Sequence, residues 1–364
     1  MTMFRVGILG AGKMGRIYGD AFSRNEYCTV AAVYNRTAAS GRELAARHGA
    51  RYVDEWEELV RSPDIDLIGV CTPSNLHCAQ VEAAAQAGKH ILCEKPMANN
   101  HVECERMTRV CKACNVTLMI GFQMRFHPVV RTVGEHLPNL GDIYHVNFNF
   151  GMYRPKVDWR NSLNQGGGAL KELGSHLFDL CTLWVAPIAH LSCENNRVEP
   201  GRKIEDHSIV LMRFANGATG YIYCGYEDRR EPKICGVLMG RKGQINLTFS
   251  PYKTEDSAVR LIDETGISVR DIPVSIPVDK SPIYPGHCDS FLREIDRFVD
   301  CIRNKEEPLV GGAEGCRSME AVCAAYTAQR RGRKINLPPA QFEPGKLREC
   351  FPAFGAIHER ETST

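Results

Sequence analysis

The stretch Gly10-Ala11-Gly12-Lys13-Met14-Gly15 decides the fold of this chain. It is a G-x-G-x-x-G pattern that directly follows an apolar run at 4–9, and the pattern at about 14–25 predicts a helix after it. In this context the first glycine permits a tight turn and the second lets the backbone approach a pyrophosphate. The third lets the helix pack closely on the strand. The stretch therefore predicts an α/β unit that binds a dinucleotide at a helix N-terminus.

The pattern of elements changes once along the chain. Strand and helix patterns alternate through residue 122, as the βαβ units of a parallel sheet do. A long helix is expected over 168–185, and successive strand candidates with short turns over 190–272 predict a mostly antiparallel sheet. The predicted fold class is α/β, in three segments. They are a Rossmann domain with a doubly wound parallel sheet (1–122), an α/β substrate-binding and oligomerisation domain with a large open sheet (123–338), and a tail (339–364).

Composition narrows the class of partner. The chain has 364 residues, with 45 Lys and Arg against 43 Asp and Glu, so its formal net charge is +2. This balance gives no reason to expect nucleic acid or a membrane surface as a partner. No apolar run approaches the ~18 residues of a membrane span, and residues 1–5 lack the pattern of a signal peptide. We expect a cytoplasmic protein.

The 16 cysteines fit reduced thiols, because several lie inside apolar stretches where free cysteine behaves as a small hydrophobe. Cys111 and Cys114 form the only closely spaced pair, and a zinc ribbon needs a second pair at suitable spacing. No metal site is predicted.

The end of the second predicted strand bears on the choice of nucleotide. An NAD site usually carries Asp or Glu about 20 residues past the glycines, to bind the ribose 2′-hydroxyl. This chain has Tyr34-Asn35-Arg36-Thr37 there. Arg36 suits a 2′-phosphate, because guanidinium and phosphate form paired charge-assisted hydrogen bonds, so NADP is favoured. The alternative is that Arg36 stacks on adenine and NAD binds. The candidate cofactor residues at this end are Gly10, Gly12, Lys13, Met14, Gly15, Asn35, Arg36 and Thr37.

Two short segments follow later strands of the predicted parallel sheet. Thr72-Pro73-Ser74-Asn75-Leu76-His77 comes after the strand at 65–71, and Glu94-Lys95-Pro96 after the strand at 90–93. Open α/β sheets bind ligands at the carboxyl ends of their strands. An ammonium such as that of Lys95 can there bind a substrate oxygen and stabilise developing alkoxide charge.

A third segment opens the helix predicted at 168–185. It contains Gly166-Gly167-Gly168, followed by Glu172, His176 and Asp179. The spacing of these three side chains places them on one stripe of a helix. A carboxylate one turn from an imidazole can orient the ring and stabilise its protonated form, which makes the histidine a competent base.

Taken with the Gly-rich loop, these segments resemble the Gfo/Idh/MocA oxidoreductases, the family of glucose–fructose oxidoreductase and the inositol dehydrogenases. The resemblance covers about residues 4–338 and includes Arg125-Phe126-His127-Pro128 and Trp159-Arg160. It implies that Lys95 and His176 are catalytic, that the carboxylate assists them, and that the Lys95–Pro96 peptide is cis. The family usually has Asp where this chain has Glu172, which weakens the expectation of an ordinary inositol dehydrogenase site.

The expected activity is reversible oxidation of a secondary ring hydroxyl of a sugar, glycoside or inositol, with NAD or NADP. An acid/base pair beside a nicotinamide site suits that chemistry. Further candidate cofactor residues are Thr72, Pro73, Asn75, His77, Glu94, Lys95, Trp159 and Arg160. The candidate substrate residues are Lys95, Arg125, Tyr153, Glu172, His176, Asp179, Tyr284 and His287.

A mostly antiparallel sheet with helices on one face predicts a homo-oligomer, a dimer or a tetramer, formed through the other face. Two alternatives to a dehydrogenase remain. One is an enzyme whose tightly bound nucleotide is recycled within each turnover, as a lyase, hydrolase or transferase-like catalyst. The other is a non-catalytic nucleotide-binding protein, against which the presence of Lys95 and His176 argues.

Overall fold

The computed structural model describes residues 3–153, 161–229, 232–253, 257–277 and 289–338. The chain forms two compact units, Met1–Phe126 with Val278–Arg317 and His127–Pro277 with Ser318–Thr364. Each unit has its own β-sheet. Among the described residues, no helix combines the length and the apolar character needed to cross a membrane.

The first unit contains a parallel sheet. Its strands are β1 (Phe4–Leu9), β2 (Cys28–Tyr34), β3 (Arg51–Val53), β4 (Leu67–Val70), β5 (His90–Glu94) and β6 (Leu118–Gly121). They are ordered β3-β2-β1-β4-β5-β6, and every neighbouring pair is parallel. The order reverses beside β1, as in doubly wound dinucleotide-binding sheets. The predicted parallel Rossmann sheet is therefore confirmed.

The described helices lie between or after the strands along the chain. They are α1 (Lys13–Arg24), α2 (Ala38–His48), α3 (Trp56–Arg61), α4 (Ser74–Gln86), α5 (His101–Ala113), α6 (Pro128–His136), α7 (Ser175–Trp184), α8 (Ser290–Asn304) and α9 (Gly312–Arg331). Helix α8 comes late in the chain, after the strands at 143–272, but packs on α1 of the first unit. The rings of Tyr18 and Phe291 lie 5.7 Å apart, and those of Phe22 and Phe298 lie 6.4 Å apart. A single boundary at residue 122 therefore leaves α8 out of the unit in which it packs. The burial of its aromatic rings against α1 decides this placement.

The second unit contains a larger sheet. Its strands are β7 (Ile143–Gly151), β8 (Ile188–Asn196), β9 (His207–Phe214), β10 (Thr219–Gly225), β11 (Lys233–Gly240), β12 (Gly243–Phe249), β13 (Ala258–Asp263), β14 (Val269–Ile272) and β15 (Ile335–Asn336). The order is β14-β13-β12-β11-β7-β10-β9-β8-β15. Strands β7 and β10 pair in parallel, and every other pair is antiparallel. The predicted mostly antiparallel sheet is confirmed.

The two faces of this sheet differ in burial. Along β9, Val210 and Met212 are buried, whereas Ile209 and Leu211 are 40% and 58% exposed. Helix α7 lies on the buried face, where the Trp184 ring is 5.6 Å from that of Phe148. The period-two alternation of the strands therefore separates a helix-covered face from an open one.

The segment before α7 departs from the single regular helix expected over 168–185. It forms a wide π-helical turn, Leu170–Gly174, and the α-helix proper begins at Ser175. The N–H groups at the start of the turn bond to Glu205. Ala169 N donates to the Glu205 carbonyl at 3.3 Å, and Leu170 N donates to Glu205 Oε1 at 3.0 Å. A side chain distant in sequence thus sets how this helix begins.

Candidate active site

The Gly-rich loop joins β1 to α1 in a backbone that tolerates side chains at only some positions. Gly10 has φ +102°, and a Cβ there would stand 2.7 Å from the Cys71 carbonyl oxygen. A Cβ at Gly15 would overlap the Gly10 carbonyl oxygen. At Gly12 no atom lies within 4 Å of the place where a Cβ would stand. The loop is therefore closed at two glycines and open beside the third, as the approach of a pyrophosphate requires.

The N-terminus of α1 has the properties of an anion site. Its N-cap is Gly12, which makes no side-chain capping bond, and the first turn carries no acidic residue. The first intrahelical bond runs from Arg16 N to Gly12 O at 3.1 Å. The N–H groups before Arg16 point along the helix axis together with the positive end of the helix dipole. With the open space beside Gly12, this arrangement, which includes Lys13 and Met14, fits a dinucleotide phosphate.

The turn after β2 is tied to the Gly-rich loop by Asn35. Its Oδ1 accepts from Ala11 N at 2.9 Å, and its Nδ2 donates to Thr37 O at 3.0 Å and Ser40 Oγ at 2.9 Å. The Asn35 amide is thus engaged within the protein and shapes the loop. Arg36 and Thr37 are exposed at the same turn, where a nucleotide could reach them.

The loop after β4 contains both exposed and buried candidates. Pro73, the N-cap of α4, and Asn75 are exposed. Thr72 Oγ1 donates to Gln80 Oε1 at 2.6 Å. The ring of His77 is buried, with Nε2 2.7 Å from Thr72 O and Nδ1 3.2 Å from Met97 O. With both ring nitrogens bonded to backbone carbonyls, His77 supports the conformation of this loop.

Lys95 stands directly after β5, at the carboxyl end of an interior strand of the parallel sheet. The Lys95–Pro96 peptide is cis, as the resemblance implied. The preceding Glu94 is buried, and its Oε2 accepts from Lys95 N at 2.8 Å. Burial raises the pKa of Glu94 to about 7. Glu94 thus holds the backbone that presents Lys95.

A second carboxyl group lies in the same buried cluster of the first unit. Tyr18 from α1 donates to Glu294 Oε2 of α8 at 2.8 Å. Burial raises the pKa of Glu294 well above its ordinary value. The sequence analysis did not identify this pair, and no local motif marks it.

In the second unit, Glu172 lies within the wide turn and His176 in the first turn of α7. Glu172 Oε2 accepts a hydrogen bond from Tyr226 Oη at 2.6 Å. The His176 ring is nearly buried and lies 6.4 Å from the ring of Phe150. Asp179, one turn further along α7, is also buried. Wide turns of this kind are frequent at functional sites, because they aim side chains away from the regular helical path.

Tyr226 is the residue of this region that the sequence analysis missed. It directly follows β10 and is separated from Glu172 by 54 positions. Its only sequence signal is its place at the end of a strand. The contact depends on which strand lies beside the turn, which is a property of the tertiary structure.

The other candidates are spread over both units. Arg125 belongs to the first unit and donates through Nη1 to Leu309 O at 3.2 Å. Tyr153 belongs to the second unit, where it forms a β-bridge with Glu227. The Arg229 guanidinium lies 5.2 Å from the centre of the Tyr153 ring. Trp159, Arg160, Tyr284 and His287 lie outside the described residues. Within the described ranges, no group of three or more His, Cys, Asp or Glu residues could hold a metal ion.

Comparison with protein families identifies both units. Residues 4–122 match the oxidoreductase family with an NAD-binding Rossmann fold, and residues 138–337 match the C-terminal α/β domain of the same family. Among curated relatives, myo-inositol 2-dehydrogenase of Thermotoga maritima is 26% identical over 92% of this chain and 98% of its own length. Inositol 2-dehydrogenase of Rhizobium meliloti is 29% identical over 92% and 99%.

Solved structures share the fold. Levoglucosan dehydrogenase in complex with NADH and L-sorbose is 21% identical, with a TM-score of 0.84 over 93% of this chain and 100% of that one. Both family domains match in their expected order, over most of the chain. The protein is therefore a member of the Gfo/Idh/MocA family of NAD-binding oxidoreductases.

Proposed function

We propose that this protein reversibly oxidises a secondary ring hydroxyl of a sugar, glycoside or inositol with a nicotinamide nucleotide. The observation that carries the proposal is the position of Lys95. It follows β5 in the same sheet whose β1–α1 loop fits a dinucleotide phosphate. The names of the inositol dehydrogenases and of levoglucosan dehydrogenase support this class of substrate.

Each catalytic residue has a distinct role in this proposal. When bound, the nicotinamide ring supplies the acceptor for the hydride that leaves the carbinol carbon. His176 takes the proton of the substrate hydroxyl. Glu172 orients the imidazole and stabilises its protonated form. Lys95 donates to the reacting oxygen and stabilises the negative charge that develops there.

The proposed binding residues are supported by where each lies within its own unit. Gly10, Gly12, Lys13, Met14 and Gly15 hold the pyrophosphate at the N-terminus of α1, and Asn35 shapes that loop. Arg36, Thr37, Thr72, Pro73 and Asn75 face the nucleotide. His77 and Glu94 support the binding loops without contacting the nucleotide, because both are buried and bonded to the loop backbone. Arg125, Tyr153 and Asp179 stay proposed substrate residues, together with Trp159, Arg160, Tyr284 and His287.

We further propose NADP as the preferred nucleotide. The turn after β2 has no acidic side chain to bind a ribose 2′-hydroxyl, and Asn35, the residue after β2, is engaged within the protein. Arg36 is exposed beside it and can form paired hydrogen bonds with a 2′-phosphate.

The open face of the large sheet supports a homo-oligomer, a dimer or a tetramer. Leu211 and Ile209 are exposed on the face of β9 opposite to the buried side chains. A second copy covering this face would bury these apolar side chains by an isologous contact. Sedimentation of the wild-type protein and of Leu211→Asp tests the oligomer, since the variant is expected to dissociate.

Every cysteine of the described ranges is a free thiol, which supports a reducing compartment, the cytoplasm.

An initial-rate panel tests the function. It pairs NAD⁺ and NADP⁺ with inositols, free pyranoses and glycosides, and it follows nicotinamide reduction. We expect turnover with at least one ring polyol, abolished by His176→Ala, while His136→Ala serves as a control on a half-buried histidine of α6. If no substrate reacts and the denatured protein releases nucleotide, the dehydrogenase proposal fails in favour of a recycled cofactor.

A further inference from the structure

Glu172 stands where the resemblance leads one to expect Asp, and its longer side chain brings its carboxylate to a tyrosine hydroxyl. Glu172 Oε2 accepts from Tyr226 Oη at 2.6 Å. The added methylene extends the side chain by a carbon–carbon bond of about 1.5 Å. An Asp carboxylate on the same backbone would be drawn back from the Tyr226 hydroxyl by up to about that length, which weakens the contact. The longer acid and the tyrosine match each other.

The Tyr226 side chain is fixed by a buried framework. Tyr226 is fully buried, and its N–H donates to Asp206 O at 2.8 Å. The Arg202 guanidinium lies 5.2 Å from the centre of its ring. Arg202 in turn faces Asp206, whose carboxylate accepts from the backbone of Val198 and Glu199 at 2.8 Å each. The hydroxyl is thus held in place before any substrate arrives.

The backbone of the turn that carries Glu172 is fixed separately. Glu205 Oε1 accepts from Leu170 N at 3.0 Å and from Tyr326 Oη at 2.9 Å. Gly168, with φ +108°, lets the chain pass so close to Glu205 that a Cβ would overlap Oε1. With the main chain held by Glu205, the hydrogen bond from Tyr226 restricts the side-chain conformation of Glu172.

We propose that Tyr226 is a positioning residue that acts through Glu172, an inference that rests on the proposed dehydrogenase function. A glutamate has one more rotatable bond than an aspartate, so its carboxylate samples more positions unless a partner holds it. The Tyr226 hydroxyl binds one oxygen of the Glu172 carboxylate. It thereby fixes the orientation of this carboxylate toward His176, the proposed base. In place of the Asp that the resemblance implies, this chain therefore has a longer acid, Glu172, whose position Tyr226 restricts.

A double-mutant cycle in kcat tests the proposal with Tyr226→Phe, Glu172→Asp and the double variant. Tyr226→Phe is expected to lower kcat about tenfold, the typical effect of losing a hydrogen bond to a charged group, and to leave KM for the nucleotide within about twofold. In the Glu172→Asp background the same change is expected to alter kcat by less than about twofold, because the shorter carboxylate is drawn back from the Tyr226 hydroxyl.

Tyr326→Phe is the matched control. It also removes a buried tyrosine hydroxyl bonded to a carboxyl group, while Glu205 keeps its bond to Leu170 N. It is expected to lower Tm as Tyr226→Phe does but to leave kcat within about twofold. Equal losses of kcat from Tyr226→Phe in the wild-type and Glu172→Asp backgrounds would overturn the proposal and leave the dehydrogenase function standing. A wild-type enzyme that oxidises no ring polyol would overturn both.

Discussion

The Gly-rich loop and the turn at Leu170–Gly174 are both short backbone segments that lead into a helix, but they are held in different ways. The loop gets its shape from its own glycines, since Gly15 packs on Gly10, and Asn35 then ties it to the turn after β2. The turn is held by Glu205 and, through Glu172, by Tyr226, which lie 35 and 54 positions away from their partners. The first segment can be identified from its own residues, whereas the second becomes visible only when distant strands are placed beside it.

The largest expected effect concerns a residue that a local motif identified. Lys95→Met is expected to lower kcat by about 10²- to 10³-fold, because the developing alkoxide loses its positive partner, while nucleotide affinity is retained. Initial rates together with nucleotide titration measure both.

Lys89→Met is the matched control for this change. Lys89 Nζ donates to the carbonyls of Ser62 and Ile65, at 2.9 and 2.8 Å, so its loss is expected to lower Tm and spare kcat. Similar kcat for Lys95→Met and wild type would remove Lys95 from the catalytic residues.

Two substitutions in the loop separate its folding role from its binding role. Gly15→Ala is expected to lower the free energy of unfolding by about 3 kcal/mol, because the new Cβ overlaps the Gly10 carbonyl. Gly12→Ala is expected to leave stability nearly unchanged but to weaken nucleotide binding about tenfold or more, since the methyl occupies the space for the pyrophosphate. Thermal melting and calorimetric titration distinguish them. Unchanged affinity in Gly12→Ala would show that the phosphate binds elsewhere.

The support of the turn by Glu205 predicts a pH dependence of stability. Burial raises the pKa of Glu205 to about 7 from 4.5. The folded protein therefore holds this proton more tightly than the unfolded chain. The stabilisation is fully present below pH 4.5 and is lost as pH rises through about 7.

Glu205→Gln, which keeps an acceptor for Leu170 N, should be as stable as wild type at pH 5 and more stable by on the order of 2 kcal/mol at pH 8. Urea denaturation at both pH values measures the difference. The exposed Glu194→Gln is the control and should shift neither value by more than about 0.5 kcal/mol. An identical difference between the two pH values in wild type and Glu205→Gln would contradict this account.

The smallest expected effect concerns the choice of nucleotide. Arg36→Ala is expected to lower kcat/KM with NADP⁺ about tenfold and to leave the value with NAD⁺ within about twofold, because only the 2′-phosphate loses a partner. The exposed Arg61→Ala, at the end of α3, controls for the loss of one surface charge. A parallel fall with both nucleotides would mean that Arg36 stacks on adenine instead.

The elements of the first unit were predictable because each rests on short-range patterns. Apolar runs gave the strands, glycines and prolines marked the turns, and the Gly-rich motif appeared between a strand and a helix. The return of α8 to pack on α1 was not predictable in this way. Its Phe291 and Phe298 form one apolar stripe that would suit any sheet, and only the assembled core shows that it is buried against Tyr18 and Phe22.

By itself, the amino-acid sequence determined the two kinds of sheet, the dinucleotide loop and the identity of Lys95, Glu172 and His176 as candidate catalytic residues. The tertiary structure alone decided that a wide turn precedes the helix that carries His176. It also decided that Glu205 holds the backbone of this turn and that Tyr226 binds the Glu172 carboxylate. The physical reason is range. Backbone conformation and hydrophobic period act between near neighbours, whereas a buried polar side chain must find a partner wherever the fold places one.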